Sequence, residues 1–441
     1  MSNIQIVGPI CTSKKEKPPV ETAVEELKEL GEYLKSNQDL PEKDIKFKRG
    51  TVCKDGRLDL CKQNVGPLGA EYLGSVLKGN TKIRHLLMGD DSLGPEGAKQ
   101  VANIINQSTS LETVYLGCNY FNEEGARHLS EALQKNENIK ALWIKRNHLG
   151  LGGASQISDL LSMNTHLKTL DLITNQLGPE SIELLKNGLL KNSNCTLTSI
   201  QLDSNPIGPQ GCVHLVEILR HLKSTLEAIS LENTGITDKG VEILCQPLSD
   251  NSSALKILDL RSNDLGYASA LSLSTMLHSN TSLKEISLGH SFNTIVVGSK
   301  PNHMGDSGLG LMATALKHNK TIQYIDMTWN NTTGESASYL ISILKSHNLN
   351  AYIHIDLKPL TSNDKSVLLD LRKKRKIDVQ EKKDYVKTFI QPIISVYRVE
   401  KAPKNPKSLS INTPIKDQLS SVMDIKPHEN ISFRFNSLVN K

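Results

Sequence analysis

The fold of this chain is decided by one stretch, Leu167-Lys168-Thr169-Leu170-Asp171-Leu172-Ile173-Thr174-Asn175-Gln176-Leu177-Gly178. Apolar residues occupy its first, fourth, sixth and eleventh positions, and an asparagine occupies the ninth. The asparagine position of this frame recurs at residues 63, 91, 119, 147, 175, 205, 234, 263, 302 and 330, in steps of 28 to 30 residues apart from one of 39. Ten copies of one frame predict a repeat protein, although the length of 441 residues alone would suggest about three domains.

Each copy combines a short strand with a helix. Leu170-Asp171-Leu172 alternates apolar and polar residues, as a strand does. Gly178-Pro179-Glu180 then suits the start of a helix, because proline fits the first helical turn and glutamate the positive end of the helix dipole. Stacked in parallel, such units place strands on a concave wall and helices on a convex one. We therefore predict an α/β horseshoe of about ten βα repeats over residues 57–357.

The asparagine position is substituted in three copies, by Gln63, Asp91 and Thr234. All three side chains still form hydrogen bonds with the backbone of a tight turn. We expect the column of asparagines to continue through them, with Thr234 in the weakest repeat.

The frame resembles the ribonuclease-inhibitor-like class of leucine-rich repeats. This class includes ribonuclease inhibitor, the repeats of NOD-like receptors and the Ran GTPase-activating protein. The resemblance implies a horseshoe that binds another protein. It does not identify an individual protein, because this chain is not rich in cysteine like ribonuclease inhibitor, and its tail is basic where that of the Ran GTPase-activating protein is acidic.

The flanks are expected to cap the repeats. Residues 1–56 are interpreted as a flexible segment followed by a cap, with a helix over 20–36 and a short strand at Lys46-Phe47-Lys48. Tyr352–Ile355 is predicted to be an eleventh strand, and Asn363 to begin a further helix. Residues 358–400 are interpreted as basic C-terminal cap helices. Residues 401–441 are expected to be a disordered basic tail, since they lack a periodic apolar face.

Composition narrows the class of protein. No apolar stretch reaches the roughly 18 residues of a membrane span, and the first residues do not resemble a secretory signal. The seven cysteines form no C-x-x-C pair, which favours reduced thiols and argues against zinc. We expect a cytoplasmic protein, or one delivered to a host cytosol.

Catalytic motifs give no support for an enzyme. Gly305-Asp306-Ser307-Gly308 is similar to a protease nucleophile motif, but it stands where a repeat helix begins, and no base is expected beside it. We predict neither an enzyme nor a cofactor.

The charge is unevenly distributed along the chain. Residues 365–407 contain 13 Lys/Arg and 5 Asp/Glu, whereas the whole chain has a net charge of only +5. Within this region lies a basic run, Arg372, Lys373, Lys374, Arg375 and Lys376. We favour a solvated helix end for this run, where positive charge suits the helix dipole. Nuclear import or binding to an anionic surface is the alternative, and nucleic acid is less favoured because no aromatic residues alternate with the basic ones.

The concave wall is expected to carry the binding site, because alternate strand residues face it. Its first zone consists of Leu87, Tyr115 and Trp143 beside Lys145 and Arg146, and we expect the three large side chains to form an exposed apolar anchor. The alternative is that these side chains fill the tight inner curve. The second zone is acidic and consists of Asp171, Asp203, Glu232 and Asp259, while Trp329, the other tryptophan of two, maps to the same wall.

These features predict a monomeric, non-enzymatic protein that binds a partner protein on its concave face, as a scaffold, inhibitor or effector-like adaptor. A regulator of a small GTPase and a bacterial effector acting in a host cell are alternatives, as is an activity in the last 80 residues. The additional residues of the ninth repeat, around His290–Gly298, are interpreted equally well as a tolerated loop or as a functional one.

Overall fold

The computed structural model describes residues 22–250, 252–291, 294, 298–346, 351–356 and 360–374. Within these residues, thirteen strands form one sheet in which neighbours in sequence are neighbours in space. The first two pairs of strands are antiparallel, and every later pair is parallel. The strands are β1 Ile45–Lys46, β2 Thr51–Val52, β3 Arg57–Asp59, β4 His85–Leu87, β5 Thr113–Tyr115, β6 Ala141–Trp143, β7 Thr169–Asp171, β8 Ser199–Gln201, β9 Ala228–Ser230, β10 Ile257–Asp259, β11 Glu285–Ser287, β12 Tyr324–Asp326 and β13 Tyr352–His354.

A helix follows each parallel strand from β3 to β12 and packs against the helix of the next repeat. The helices are α1 Lys28–Ser36, α2 Gly66–Leu77, α3 Gly94–Gln107, α4 Asn122–Leu133, α5 Gly150–Met163, α6 Pro179–Leu190, α7 Gly208–His221, α8 Thr237–Leu248, α9 Tyr267–Ser279, α10 Gly305–His318, α11 Gly334–Ser346 and α12 Ser362–Lys374. This alternation along one open, mostly parallel sheet confirms the predicted α/β horseshoe.

The core lies between the sheet and the helices. The middle residue of each parallel strand is buried there, and Leu172, which follows β7, is only 1 % exposed, as the repeat frame requires. The strands pair without a shift, so that Leu170 stands level with Leu142 on one side and Ile200 on the other. Residues at one position of the frame therefore form straight columns across the sheet.

The predicted column of asparagines is present. Asn119 accepts hydrogen bonds through Oδ1 from the backbone N–H of Asp91 and Leu93, at 3.0 and 3.4 Å. Its Nδ2 donates to the carbonyls of Met88 and Leu116, at 2.6 and 3.0 Å, and so joins two successive repeats. Each asparagine thus satisfies buried backbone groups of its own turn and of the preceding one.

A second column of asparagines stands at the opposite end of the strands, where each helix turns back towards the sheet. Asn164 donates from Nδ2 to the carbonyl of Leu133, at 2.6 Å, and accepts through Oδ1 from the N–H of His166 and Leu167. The same pattern recurs at Asn80, Asn280 and Asn319. The sequence analysis missed this column, although a recurring asparagine three residues before the first core leucine was visible.

The N-terminal cap differs in detail from the prediction. Its helix begins with a 3₁₀ turn over Val24–Leu27 and continues as α1. The strand expected at residues 46–48 is instead a hairpin of β1 and β2, and β2 pairs with β3 in antiparallel register. This hairpin covers the edge of the first parallel strand, β3, and so pairs backbone groups that would otherwise be exposed at the end of the sheet.

At the other end, β13 confirms the predicted eleventh strand, and α12 packs against β13 and α11. α12 begins one residue before Asn363, and Thr361 caps it by accepting a hydrogen bond from the N–H of Asp364, at 3.2 Å. The predicted tail over 401–441 and the part of the predicted C-terminal cap after Lys374, which includes Arg375 and Lys376, lie outside the described residues. No described helix is long and apolar enough to cross a membrane.

The ninth repeat accommodates its additional residues without losing the frame. Ser291 and Thr294 are buried, and Ser262 forms hydrogen bonds with both, accepting from the Ser291 N–H at 3.1 Å and lying 2.9 Å from the Thr294 hydroxyl. Asn302 then resumes the asparagine column by donating to the carbonyls of Leu260 and Leu288.

Candidate partner-binding surface

The concave face presents the first and third residue of each strand from β3 to β13, together with the residue two positions further on. We name two parts of this face. The N-terminal wall is the concave side of β3–β6, and the acidic wall is the concave side of β7–β13, including Asp203, Glu232, Arg261 and Asp356 at the strand ends. The two predicted zones fall on these two parts.

Leu87, Tyr115 and Trp143 lie side by side across β4, β5 and β6, as the frame predicts. The expectation that they are exposed is wrong. Their exposed fractions are 0, 2 and 6 %, and they form a cluster of their own, separate from the main core. The alternative interpretation, that large side chains fill the tight inner curve, describes this part of the wall.

The neighbours of Tyr115 explain its burial. A Cβ atom at Gly89 would lie 2.3 Å from Cε1 of Tyr115, and one at Gly117 would lie 2.9 Å from its hydroxyl oxygen. The ring therefore occupies the space that two side chains would otherwise fill. Lys145 is buried beside it, with Nζ 5.5 Å from the ring centroid, a distance at which a cation is attracted to an aromatic face.

One polar atom of this cluster lacks a partner. Nε1 of Trp143 is buried and forms no hydrogen bond with any described residue. A buried donor of this kind lowers stability by about 1–3 kcal/mol relative to a paired one. The cluster is therefore held together by packing, and its single indole donor is unused.

The acidic residues are also less exposed than expected, because their carboxylates accept hydrogen bonds from the backbone of their own or a neighbouring strand end. Asp171 is buried and accepts a hydrogen bond from the N–H of Ile173, at 2.9 Å. Asp203 accepts from the N–H of Glu232, at 3.0 Å, and from the hydroxyl of Ser230. The acidic zone expected on the concave wall is thus buried at Asp171, Asp203 and Glu232.

Arg261 is the centre of the acidic wall. Its guanidinium contacts Glu232 at 2.9 Å and binds both carboxylate oxygens of Asp259, with Nε 2.9 Å from one and 3.0 Å from the other. Burial alone would lower the pKa of Arg261, but the charges of Asp259 and Glu232 outweigh burial and keep that pKa well above its usual range. This arginine is therefore a permanent cation held between two carboxylates.

Several residues of this wall were missed by the sequence analysis as site residues. Tyr324 and Tyr352 stack at 5.7 Å between ring centroids, and burial raises the pKa of Tyr324. Asp326 accepts hydrogen bonds from the N–H and hydroxyl of Thr328 and lies 3.6 Å from Nδ1 of His354. The clue was available, because the first residue of a three-residue strand faces the same side as the third.

Arg146 and Trp329 belong to the rim of the wall. Both precede an asparagine of the main column and have a positive φ, 56° and 62°, which turns them onto the edge where the strands end. Arg146 is half-buried, whereas Trp329 is 57 % exposed, and the backbone N–H of Trp329 donates to the carboxylate of Asp356 at 2.8 Å. Trp329 follows β12 and Trp143 lies in β6, so the structure does not bring the two tryptophans together.

The candidate catalytic motif has a structural role in the described residues. Gly305 begins α10, and the carboxylate of Asp306 accepts a hydrogen bond from the N–H of Thr333, at 2.7 Å, and another from the hydroxyl of Ser336. Asp306 thereby holds the turn of the next repeat. Within the described part of the chain, no group of three or more His, Cys, Asp or Glu residues is arranged to hold a metal ion.

Comparison with known proteins agrees with this architecture. The Leucine Rich repeat family matches residues 164–186, 193–216 and 251–274. The chain is 32 % identical over 139 residues to NACHT, LRR and PYD domains-containing protein 14 of Mus musculus, which is 32 % of this chain and 13 % of that protein. It is 27 % identical over 135 residues to ribonuclease inhibitor of Mus musculus, which is 31 % of this chain and 27 % of that protein.

Among solved structures, the leucine-rich repeat-containing protein LegL7 from Legionella pneumophila aligns with 68 % of this chain and 93 % of its own, with 18 % sequence identity and a TM-score of 0.43. The chain spans between 13 and 27 % of the length of the two curated relatives above. The repeat frame, the alternation of strand and helix and the matches to the repeat family lead to one conclusion: the chain carries leucine-rich repeats, and these are similar to those of ribonuclease inhibitor.

Proposed function

We propose that this chain is a non-enzymatic interaction module that binds a partner protein on its concave face. The observation that carries the proposal is the charge of the acidic wall, which presents a single guanidinium, that of Arg261, among seven carboxylates. The seven are Asp171, Asp203, Glu232, Asp259, Glu285, Asp326 and Asp356. A concave surface lined by one sign of charge focuses its field and attracts an oppositely charged partner.

The chemistry of the wall favours a partner with a basic patch. Asp171, Asp203 and Glu232 are buried, so we expect them to act through their field. Direct contact falls to the half-buried Glu285 and Asp356 and to the exposed ring of Trp329 at the rim. Tryptophan is enriched among the residues that dominate binding energies at interfaces. The mouse relative is, by its name, an inhibitor of a ribonuclease, which supports a protein as the ligand.

The buried cluster of Leu87, Tyr115 and Trp143 takes a different part in the proposal. Because it offers little surface to a partner, we propose that this cluster sets the shape of the wall and does not contact the partner directly. Lys145 lies beside it and is also buried. Arg146, half-buried at the rim beside it, is the residue through which a partner would extend onto the N-terminal wall.

Affinity capture with the full chain as bait, followed by mass spectrometry, tests the proposal. Glu285→Lys on the acidic wall is compared with Glu183→Lys, a matched reversal at an exposed residue of α6 on the convex side. We expect Glu285→Lys to slow association with the captured partner and to reduce its salt dependence, as a rim charge does, while Glu183→Lys binds like the wild type. Equal association rates for all three proteins would place the binding surface elsewhere.

A further inference from the structure

We propose that the chain carries its own ligand for the acidic wall, namely its basic segment over residues 372–407, and that a partner displaces this segment on binding. The inference goes beyond the proposed function, although it uses the same face of the sheet. The acidic wall is an unpartnered sheet face in the described structure, and the segment is the occupant that the charges of this chain select.

Charge complementarity is the first argument. Residues 372–407 contain 12 Lys/Arg and 4 Asp/Glu, whereas the acidic wall presents seven carboxylates around one guanidinium. The N-terminal wall offers no comparable attraction, since the strands β3–β6 and their following concave residues include Asp59 as their one carboxylate, together with Arg57 and Lys145. A basic segment is therefore directed to one half of the concave face.

Position is the second argument. β13 is the last strand of the acidic wall, and α12, which packs against it, ends at Lys374 inside the basic run. The width of the acidic wall from β13 to β7 is about 29 Å, at about 4.8 Å per strand. The 33 residues that follow Lys374 up to residue 407 reach up to about 110 Å when extended, so the segment spans the whole wall with slack.

The connection in one chain makes such a contact effective even when it is weak. A short tether holds a ligand at an effective concentration of about 1 mM, so a segment with an intrinsic affinity in the micromolar range occupies the wall most of the time. A partner then binds with an apparent affinity reduced by the fraction of time that the wall is free. The segment would thus set the minimum affinity or concentration that a partner needs to occupy the wall. Modification that removes the charge of its lysines would lower that minimum.

The test uses the full chain without any partner, so that its outcome does not depend on the proposed function. In one variant, Arg375, Lys376, Lys382 and Lys383, which follow the described end of α12, are changed to Glu. The matched control reverses four exposed lysines of the helices and of the turns that follow them, Lys99, Lys135, Lys239 and Lys320. A fluorescein-labelled peptide of residues 372–394 is then titrated into each protein.

We expect the peptide to bind the tail variant at least about tenfold more tightly than the wild type or the control, because the tethered segment no longer competes. Acrylamide quenching of Trp329 gives a second measurement, with Trp329→Phe identifying its contribution. Quenching should be greater in the tail variant than in the wild type, and about 0.5 M salt should remove the difference by screening the charges. Equal peptide affinities for the three proteins, or equal quenching of Trp329 in them, would overturn the proposal.

Discussion

The N-terminal wall and the acidic wall share one backbone and one repeat frame, yet they differ in how their inner surface is satisfied. In the N-terminal wall, Tyr115 occupies space above Gly89 and Gly117, and the surface is closed by packing. In the acidic wall, Arg261 and the carboxylates around it keep the surface charged. The comparison teaches that the frame fixes where a side chain points, while its neighbours on adjacent strands decide whether it meets water.

The largest effect is expected from Trp143→Ala, which removes the largest side chain of the N-terminal cluster. Since Trp143 is buried, the change should lower the free energy of unfolding by about 3–5 kcal/mol, measured by denaturant unfolding. Trp143→Phe should cost less than half of that, because it keeps an aromatic ring and removes the unpaired Nε1. A stability unchanged by Trp143→Ala would mean that the wall is open and that the original expectation of an exposed anchor holds.

The next largest effect separates the two walls at one position of the frame. Arg261 follows β10 as Lys145 follows β6, but Arg261 holds two carboxylates. Arg261→Met should lower the free energy of unfolding by about 3 kcal/mol, the scale of breaking one side of a buried ion pair.

Two variants provide the controls for this prediction. Lys145→Met makes the same change at the equivalent position beside the Tyr115 ring, and it should cost less than Arg261→Met. Combining Arg261→Met with Glu232→Gln should recover part of the loss. If the two methionine variants are equally stable, the charge of Arg261 contributes nothing beyond packing, and the proposed contrast between the walls fails.

A smaller effect is expected at Asp91, where the asparagine column is interrupted beneath the N-terminal wall. Its Oδ1 accepts from the N–H of Gln63, at 2.8 Å, while its buried Oδ2 has no hydrogen-bond partner among the described residues. Burial raises the pKa of Asp91 well above its usual range. Asp91→Asn should supply the side-chain N–H₂ donor that the other asparagines of this column use. It should raise the free energy of unfolding by about 1–2 kcal/mol near pH 7.

The pH dependence of this variant follows from the direction of the shift. Because the pKa of Asp91 is higher in the folded chain, folding favours the protonated carboxyl. The stability that this residue contributes is complete below its unfolded pKa of about 3.9, and it is lost as the pH rises towards the folded pKa. Thermal unfolding at a series of pH values should show the advantage of Asp91→Asn shrinking towards pH 4. An advantage that stays constant with pH would contradict a raised pKa of Asp91 in the folded chain.

The smallest effect is expected at Thr234, the interruption beneath the acidic wall. Its hydroxyl donates to the carbonyl of Leu231, at 2.7 Å, and lies 3.1 Å from Oδ1 of Asn263. An asparagine would reach the carbonyls of two successive repeats, as Asn263 does with Leu231 and Leu260. Thr234→Asn should therefore raise the free energy of unfolding by about 1 kcal/mol, and denaturant unfolding would measure it. A loss of stability would show that the turn is built around the shorter side chain.

Much of this architecture was predictable from the sequence. The step of 28 residues predicted where the strands lie and that Leu172 is buried, because the repeat allows each strand only one register with its neighbours. The exposure of Tyr115 and Trp143 was not predictable from alternation alone. It depends on the absence of side chains at Gly89, which follows the neighbouring strand β4, and at Gly117, which follows Tyr115 on its own strand β5. It also depends on the position of Lys145 over the ring. The burial of Asp203 was likewise not predictable from its own position, because it depends on the hydrogen bond from Ser230 on the next strand.

The hydrogen bonds that asparagines make between turns also influence where the solenoid opens locally. In a chain of repeats that contact only their neighbours, opening begins at the weakest junction and divides the array there. The junction at Thr234 lies between Asn205 and Asn263, within the acidic half. Amides C-terminal to it should exchange with deuterium as a separate, earlier block than those of β3–β7. The protein would then behave as two cooperative units in one continuous horseshoe, with the more labile unit carrying most of the charge.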